Sequence, residues 1–151
     1  MLATQEAVDT YRKLAKARPD AYLPDLARAL NNLGSDLSSL GRPEDAMLAT
    51  QEAVDTYRKL AKARPDAYLP DLARSLGLRG SLERSAGSLP RAISSLSESL
   101  RTIGQLAEGT PQRYGQLASA VARDLVETCH SSGLSPPEDL LEVVDSLLDD
   151  E

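Results

Sequence analysis

Residues 1–28, MLATQEAVDTYRKLAKARPDAYLPDLAR, recur without a single change at 47–74, which sets a period of 46 residues. A period in this range marks stacked repeats, each a unit that cannot bury its own apolar face alone. Beyond residue 28 the copy drifts, and the same offset keeps Leu30/Leu76, Gly34/Gly80, Ser35/Ser81, Gly41/Gly87 and Ala46/Ala92, mostly small or apolar residues suited to packing and turns. A third, degenerate copy at offset 92 keeps Glu6/Glu98, Leu14/Leu106, Pro19/Pro111, Tyr22/Tyr114, Leu33/Leu125 and Gly41/Gly133. The units are therefore 1–46, 47–92 and 93–138 of one repeat domain spanning 1–151, with 139–151 the acidic end of a capping helix.

Within a unit the apolar residues step at helical spacing. Ala7, Val8, Tyr11, Leu14 and Ala15 share one face of a first helix, and Pro19 interrupts it because proline cannot continue the hydrogen-bond ladder. Leu26, Leu30, Leu33, Leu37 and Leu40 draw a seam along a second helix that Gly41 ends, with Pro24 expected in its first turn, where the missing N–H costs little. No stretch alternates with a period of two, so no strand is expected. The helices expected are 2–17, 21–40, 43–63, 67–86, 89–107, 112–131 and 136–149, seven in an all-α chain of antiparallel helix pairs. In the second unit the Leu33 and Leu37 positions become Arg79 and Glu83 while Leu78 and Leu82 sit one residue earlier, so that helix is expected to rotate or to pack less well. A last stripe, Leu140, Leu141, Val144, Leu147 and Leu148, reads as the buried face of the cap.

Composition excludes several classes of function. At 41% hydrophobic and 26% charged the chain belongs with ordinary folded domains, and with five tyrosines but no Phe or Trp its interior is filled by Leu, Ala and Val. The net charge of −6 is concentrated in residues 138–151, which hold seven acids, so the remainder sums to +1 and offers no electrostatic footprint for nucleic acid. Cys129 is the single cysteine and His130 the single histidine, which leaves no disulfide and no His-based metal cluster. Neighbours on a helix point about 100° apart, so Cys129 and His130 read as a small buried hydrophobe beside a wet imidazole rather than as a nucleophile and its base. No apolar run reaches the roughly 20 residues that span a bilayer, and no basic and apolar leader opens the chain, so no membrane role and a cytoplasmic location are expected.

Leu33-Gly34, Gly41, Ala46 and Ala53 resemble the signature of the tetratricopeptide repeat: Leu-Gly, a turn glycine, then two small alanines. The period exceeds the usual 34 residues, and Leu30-Asn31-Asn32-Leu33 is similar to the kinesin-light-chain type, with its longer helices. The 46-residue form also resembles repeats of large bacterial multidomain proteins. The resemblance implies a right-handed α-solenoid that takes a peptide or protein partner in a concave groove formed by the first helices of successive pairs, 21–40, 67–86 and 112–131. On the face opposite the leucine seam it implies groove residues Arg28, Asn31, Asn32, Ser35 and Ser38, then Arg74, Gly77 and Ser81, then Arg123 and Glu127. Asparagine amides both donate to and accept from a peptide backbone, whereas Asn31, Ser35, Gly77 and Ser81 lack the cations with which members of this family clamp a terminal carboxylate.

No glycine loop cradles phosphate, no metal ligands are spaced for a site and no histidine serves a serine triad, so neither catalysis nor a cofactor is expected. Two functional classes stay open. One is a non-enzymatic scaffold for a protein or peptide. The other is a regulatory or sensor segment of a larger bacterial signalling ATPase or enzyme whose chemistry lies outside this chain. The first helix, 2–17, is the twin of an internal one, so a homo-oligomer formed through Val8 and Tyr11 is also expected.

Overall fold

A computed structural model describes residues 2–149, and among these the chain is all-helical with no strand. Seven α-helices follow in order: α1 Leu2–Ala17, α2 Pro19–Ser39, α3 Pro43–Ala63, α4 Pro65–Ser85, α5 Leu89–Gly109, α6 Pro111–Ser131 and α7 Leu141–Leu148, the last entered through a 3-10 turn at Glu138–Leu140. Two compact units divide the chain, Met1–Asp71 and Leu72–Glu151, with the boundary inside α4. In the first, α1 packs on α2 and α2 on α3; in the second, α5 packs on α6 and α6 on α7. Neighbours in sequence are neighbours in space, the rule by which a helical solenoid is built.

Proline and glycine set the helix ends. Pro19, Pro43, Pro65 and Pro111 each open a helix, at a position whose N–H has no intrahelical partner in any case. Pro24 is therefore not in the first turn. It lies inside α2, as Pro70 lies inside α4, at a position that cannot donate to the carbonyl of the preceding turn. Gly41, Gly87 and Gly133 have φ of 72°, 79° and 72°, the left-handed region that a side chain resists. Around Gly41 the amide of Arg42 reaches the carbonyl of Leu37 at 2.9 Å and that of Gly41 reaches Ser38 at 3.1 Å, a Schellman closure that recurs at Ser88/Glu83 and Leu134/Cys129. The same turn removes Leu40 from the seam: it lies beyond the last residue of α2 and is 58% exposed.

Leu26, Leu30, Leu33 and Leu37 are buried in the first unit with Val8 and Ala15 of α1 and Ala46, Ala53 and Val54 of α3. A fully buried leucine contributes about 1.5–3 kcal/mol, so this seam carries much of what holds the three helices together. In the second unit Leu96, Leu100, Ile103, Val121, Leu125, Cys129, Leu140 and Val144 form the core, with Leu147 and Leu148 half-buried against it. Leu141 leaves the cap's stripe and is exposed, because the 3-10 turn shifts the phase of the helix that follows. Asp150 and Glu151 lie outside the described residues.

Glycine permits the closest helix contacts. A methyl group added at Gly34 would overlap Thr50 Oγ1 on α3, and one added at Gly80 would meet Leu96 Cγ on α5 at 2.7 Å. Gly80 and Leu96 are the positions of Gly34 and Thr50 one period on, so α4 keeps the phase of α2 and has not rotated. Arg79 and Glu83 consequently stand where leucines stood, with side chains only 15% and 12% exposed. Polar contacts replace apolar packing there: Arg79 lies 3.7 Å from Glu83 and 3.7 Å from Glu98, with Ser95 bonded to both Arg79 and Glu83.

Candidate functional site

Burying the leucine seam turns the opposite face of α2 outward. Arg28, Asn32, Ser35 and Ser38 are exposed there, and Asn31 is half-buried at the edge. The Arg28 guanidinium is held by Asp25 three residues before it, and the Ser35 carbonyl accepts from the Ser39 hydroxyl at 3.1 Å. Beside this polar ridge lies a hollow of about 220 Å³. Its α1 wall is Ala3, Thr4, Ala7 and Tyr11, and its α2 wall is Asp25, Arg28, Ala29 and Asn32. Small side chains make the floor, while one carboxylate, one guanidinium and one amide make the rim.

The remaining candidates belong to the second unit. Arg74 and Ser81 are exposed on α4, Gly77 is half-buried there, and Arg123 and Glu127 are exposed on α6. Glu127 is engaged: Arg84 Nη2 donates to its carboxylate at 3.0 Å, and Arg84 Nη1 lies 3.6 Å from Asp124. Burial pushes the Asp124 carboxyl above its ordinary value, against the opposing pull of Arg84. Arg84, Asp124 and Ser95 were not among the residues read from sequence, and Arg79 and Glu83 were read there only as replacements for leucines, not as a polar pair. A basic residue and an acid one turn apart at positions the other repeat fills with leucine were the available signal for the Arg79–Glu83 pair.

Val8 does not face outward. It is 1% exposed and lines a cleft of 250 Å³ with Leu30, Leu33 and Leu37, beneath the 2.7 Å ion pair that Arg12 of α1 makes with Glu52 of α3. The helical phase that points Ala7 and Tyr11 toward the hollow carries Val8 into the core, and only Tyr11 of the two is part exposed at the surface. In the second unit a wider hollow of about 620 Å³ opens between α5, α6 and α7, lined by Gly104, Ala107, Ser119, Arg123, Val143 and Leu147 among others.

Cys129 is buried in the second core, where loss of solvent pushes its thiol up, and His130 is exposed on the next residue. Among the described residues no three His, Cys, Asp or Glu side chains gather as a metal ion would need, and no helix is long and apolar enough to cross a membrane. Comparison with protein-family models, with curated proteins and with solved structures gave no match.

Proposed function

We propose that this chain is a tetratricopeptide-like protein-binding module that works in the cytoplasm and performs no chemistry of its own. The reading is carried by the exposed polar ridge of α2, Arg28, Asn32, Ser35 and Ser38, running beside a hollow with an apolar floor. Such a surface matches an extended or helical peptide. The floor accepts apolar side chains, and hydroxyl and amide groups on the rim satisfy backbone polar groups without reading much sequence. Arg28 adds a preference for an acidic ligand, tempered by its existing partner Asp25.

The experiment is a capture comparison between the intact chain and an Asn31→Ala/Asn32→Ala variant, each with its melting temperature measured. Loss of the captured protein at unchanged melting temperature supports the ridge. Equal capture by both chains, or a drop in melting temperature without loss of capture, returns the asparagines to a structural role.

A further inference from the structure

Identical sequence in two places makes exposure a direct report of coverage. Thr50, Ala53 and Tyr57 of α3 are 0%, 0% and 5% exposed, whereas their twins Thr4, Ala7 and Tyr11 of α1 are all part exposed and line the hollow. The side chains are the same. What differs is what lies on them, and for Thr50 the cover is Gly34 of α2.

The second unit holds the same seat filled. Two periods on, Thr4, Ala7, Tyr11 and Ala29 become Leu96, Ser99, Ile103 and Val121, which are 0%, 0%, 0% and 4% exposed. The occupant is α4, and it enters on small residues. A methyl at Gly80 would meet Leu96 Cγ at 2.7 Å, one at Gly77 would meet Val121 Cγ2 at 3.6 Å and Ser99 Oγ at 3.7 Å, and the Ser99 hydroxyl donates to the carbonyl of Ala73 at 2.7 Å. Ala73, Gly77 and Gly80 are four and three residues apart, one face of one helix. At the seat's edge Arg84 of α4 meets Asp124, whose counterpart at the hollow is Asn32.

We infer that the hollow between α1 and α2 is a docking seat for a single helix supplied by a partner protein, with small residues at three positions spaced as Ala73, Gly77 and Gly80. The inference rests on the reading of the chain as a protein-binding module and names the partner's secondary structure and its contact face. A second copy of the chain is not the occupant, because α4, which carries this face, is already seated with Gly80 on Leu96, and α2, which carries Ala27 and Gly34 with Asn31 between them, is seated with Gly34 on Thr50. The rim is neutral at Asn32, so the partner helix needs no arginine where α4 carries Arg84.

The probe is a fluorescein-labelled peptide of residues 65–87, the α4 segment itself, titrated into the full chain and followed by anisotropy. Saturable one-to-one binding is expected, weakened at least tenfold by Thr4→Arg in the chain and likewise by Gly77→Leu/Gly80→Leu in the peptide. Binding that Thr4→Arg leaves intact overturns the seat. Since a short peptide pays to become helical, a second chain carries an extra copy of residues 19–46 ahead of Met1, a junction that reproduces Ala46-Met47-Leu48. Circular dichroism is expected to gain one helix and Tyr11 to become shielded from an added quencher, and an extension that stays unfolded overturns the inference. Light scattering of the unmodified chain is expected to show no growth in mass with concentration, and a dimer abolished by Thr4→Arg would assign the seat to a second copy instead. Ser38→Arg separates the two readings, since Ser38 lies on the ridge and does not line the hollow. A natural partner lost with Ser38→Arg but kept with Thr4→Arg would preserve the scaffold and remove the seat.

Discussion

Arg79 and Glu83 face each other at 3.7 Å across one turn of α4, and the Ser95 hydroxyl of α5 joins them, accepting from Arg79 Nε at 3.0 Å and donating to Glu83 Oε2 at 2.7 Å. Both stand at positions that α2 fills with leucine. Breaking such a pair from one side leaves a charge with little solvent, while replacing both members by apolar residues is often neutral. Arg79→Leu is expected to cost about 1–3 kcal/mol, and Glu83→Leu less, because Arg79 keeps Glu98. The double variant, which restores the leucines of the first repeat, is expected to return to within about 1 kcal/mol of the parent. Urea melts of the four chains check this, and losses that simply add in the double variant would contradict it.

Thr50 Oγ1 is buried without a hydrogen-bond partner and points at Gly34. A buried hydroxyl in this state costs about 1–3 kcal/mol, so Thr50→Val is expected to hold or raise stability despite lying in the core. The denaturation midpoint is the measure. A loss above about 1 kcal/mol would mean that the added methyl presses on Gly34 by more than the hydroxyl's desolvation is worth.

Gly34→Ala is expected to destabilise by about 1–3 kcal/mol, since the added carbon overlaps Thr50 Oγ1 and the contact is between two helices that neither can leave. Ser38→Ala, on the exposed face one turn later, is expected to stay within about 0.5 kcal/mol. Equal effects in parallel melts would reverse the assignment of the faces of α2.

Arg101 of α5 holds the carboxylate of Asp139 with bonds of 2.6 and 2.9 Å, and this hydrogen bonding lowers the carboxyl below its ordinary value. A depressed carboxyl contributes stability above its unfolded pKa, near 3.9, and loses it as pH falls through the lower folded value. The parent is therefore expected to exceed Arg101→Gln in stability at neutral pH, with the gap closing as the pH drops below the usual aspartate range. Thermal melts of both chains across an acid series check the sign, and a gap that persists in acid would assign the effect to packing of the arginine stem instead.

The helical class, the number of helices and the polar face of α2 were all legible in the period of 46 residues and the leucine steps, because both follow from local geometry. Boundaries followed where a residue type has one use: Pro43 starts α3 and Gly41 closes α2. Pro24 misled, since a proline is tolerated in a helix interior when flanking packing outweighs the lost bond, and that packing is not written at the proline. The phase of α4 was hidden for a related reason. Leu78 and Leu82 suggested a rotated seam, but Gly80 against Leu96 holds the helix in register and leaves Arg79 and Glu83 to find polar partners on α5. Arg84 with Asp124 and Glu127 was invisible for want of any signal linking residues about 40 positions apart. Val8 turned inward because the apolar face of α1 is wide enough to serve both the core and the hollow, and spacing alone does not divide it.

Gly41, Gly87 and Gly133 close their helices with the same left-handed turn at intervals of 46 residues. An exchange between the two identical stretches, 1–28 and 47–74, removes or inserts that interval whole, and every turn, glycine contact and leucine step downstream stays in phase. An insertion of any other length throws the later glycines out of step with the helices they must end. The helix ends therefore tolerate a change in length only in whole units of 46 residues.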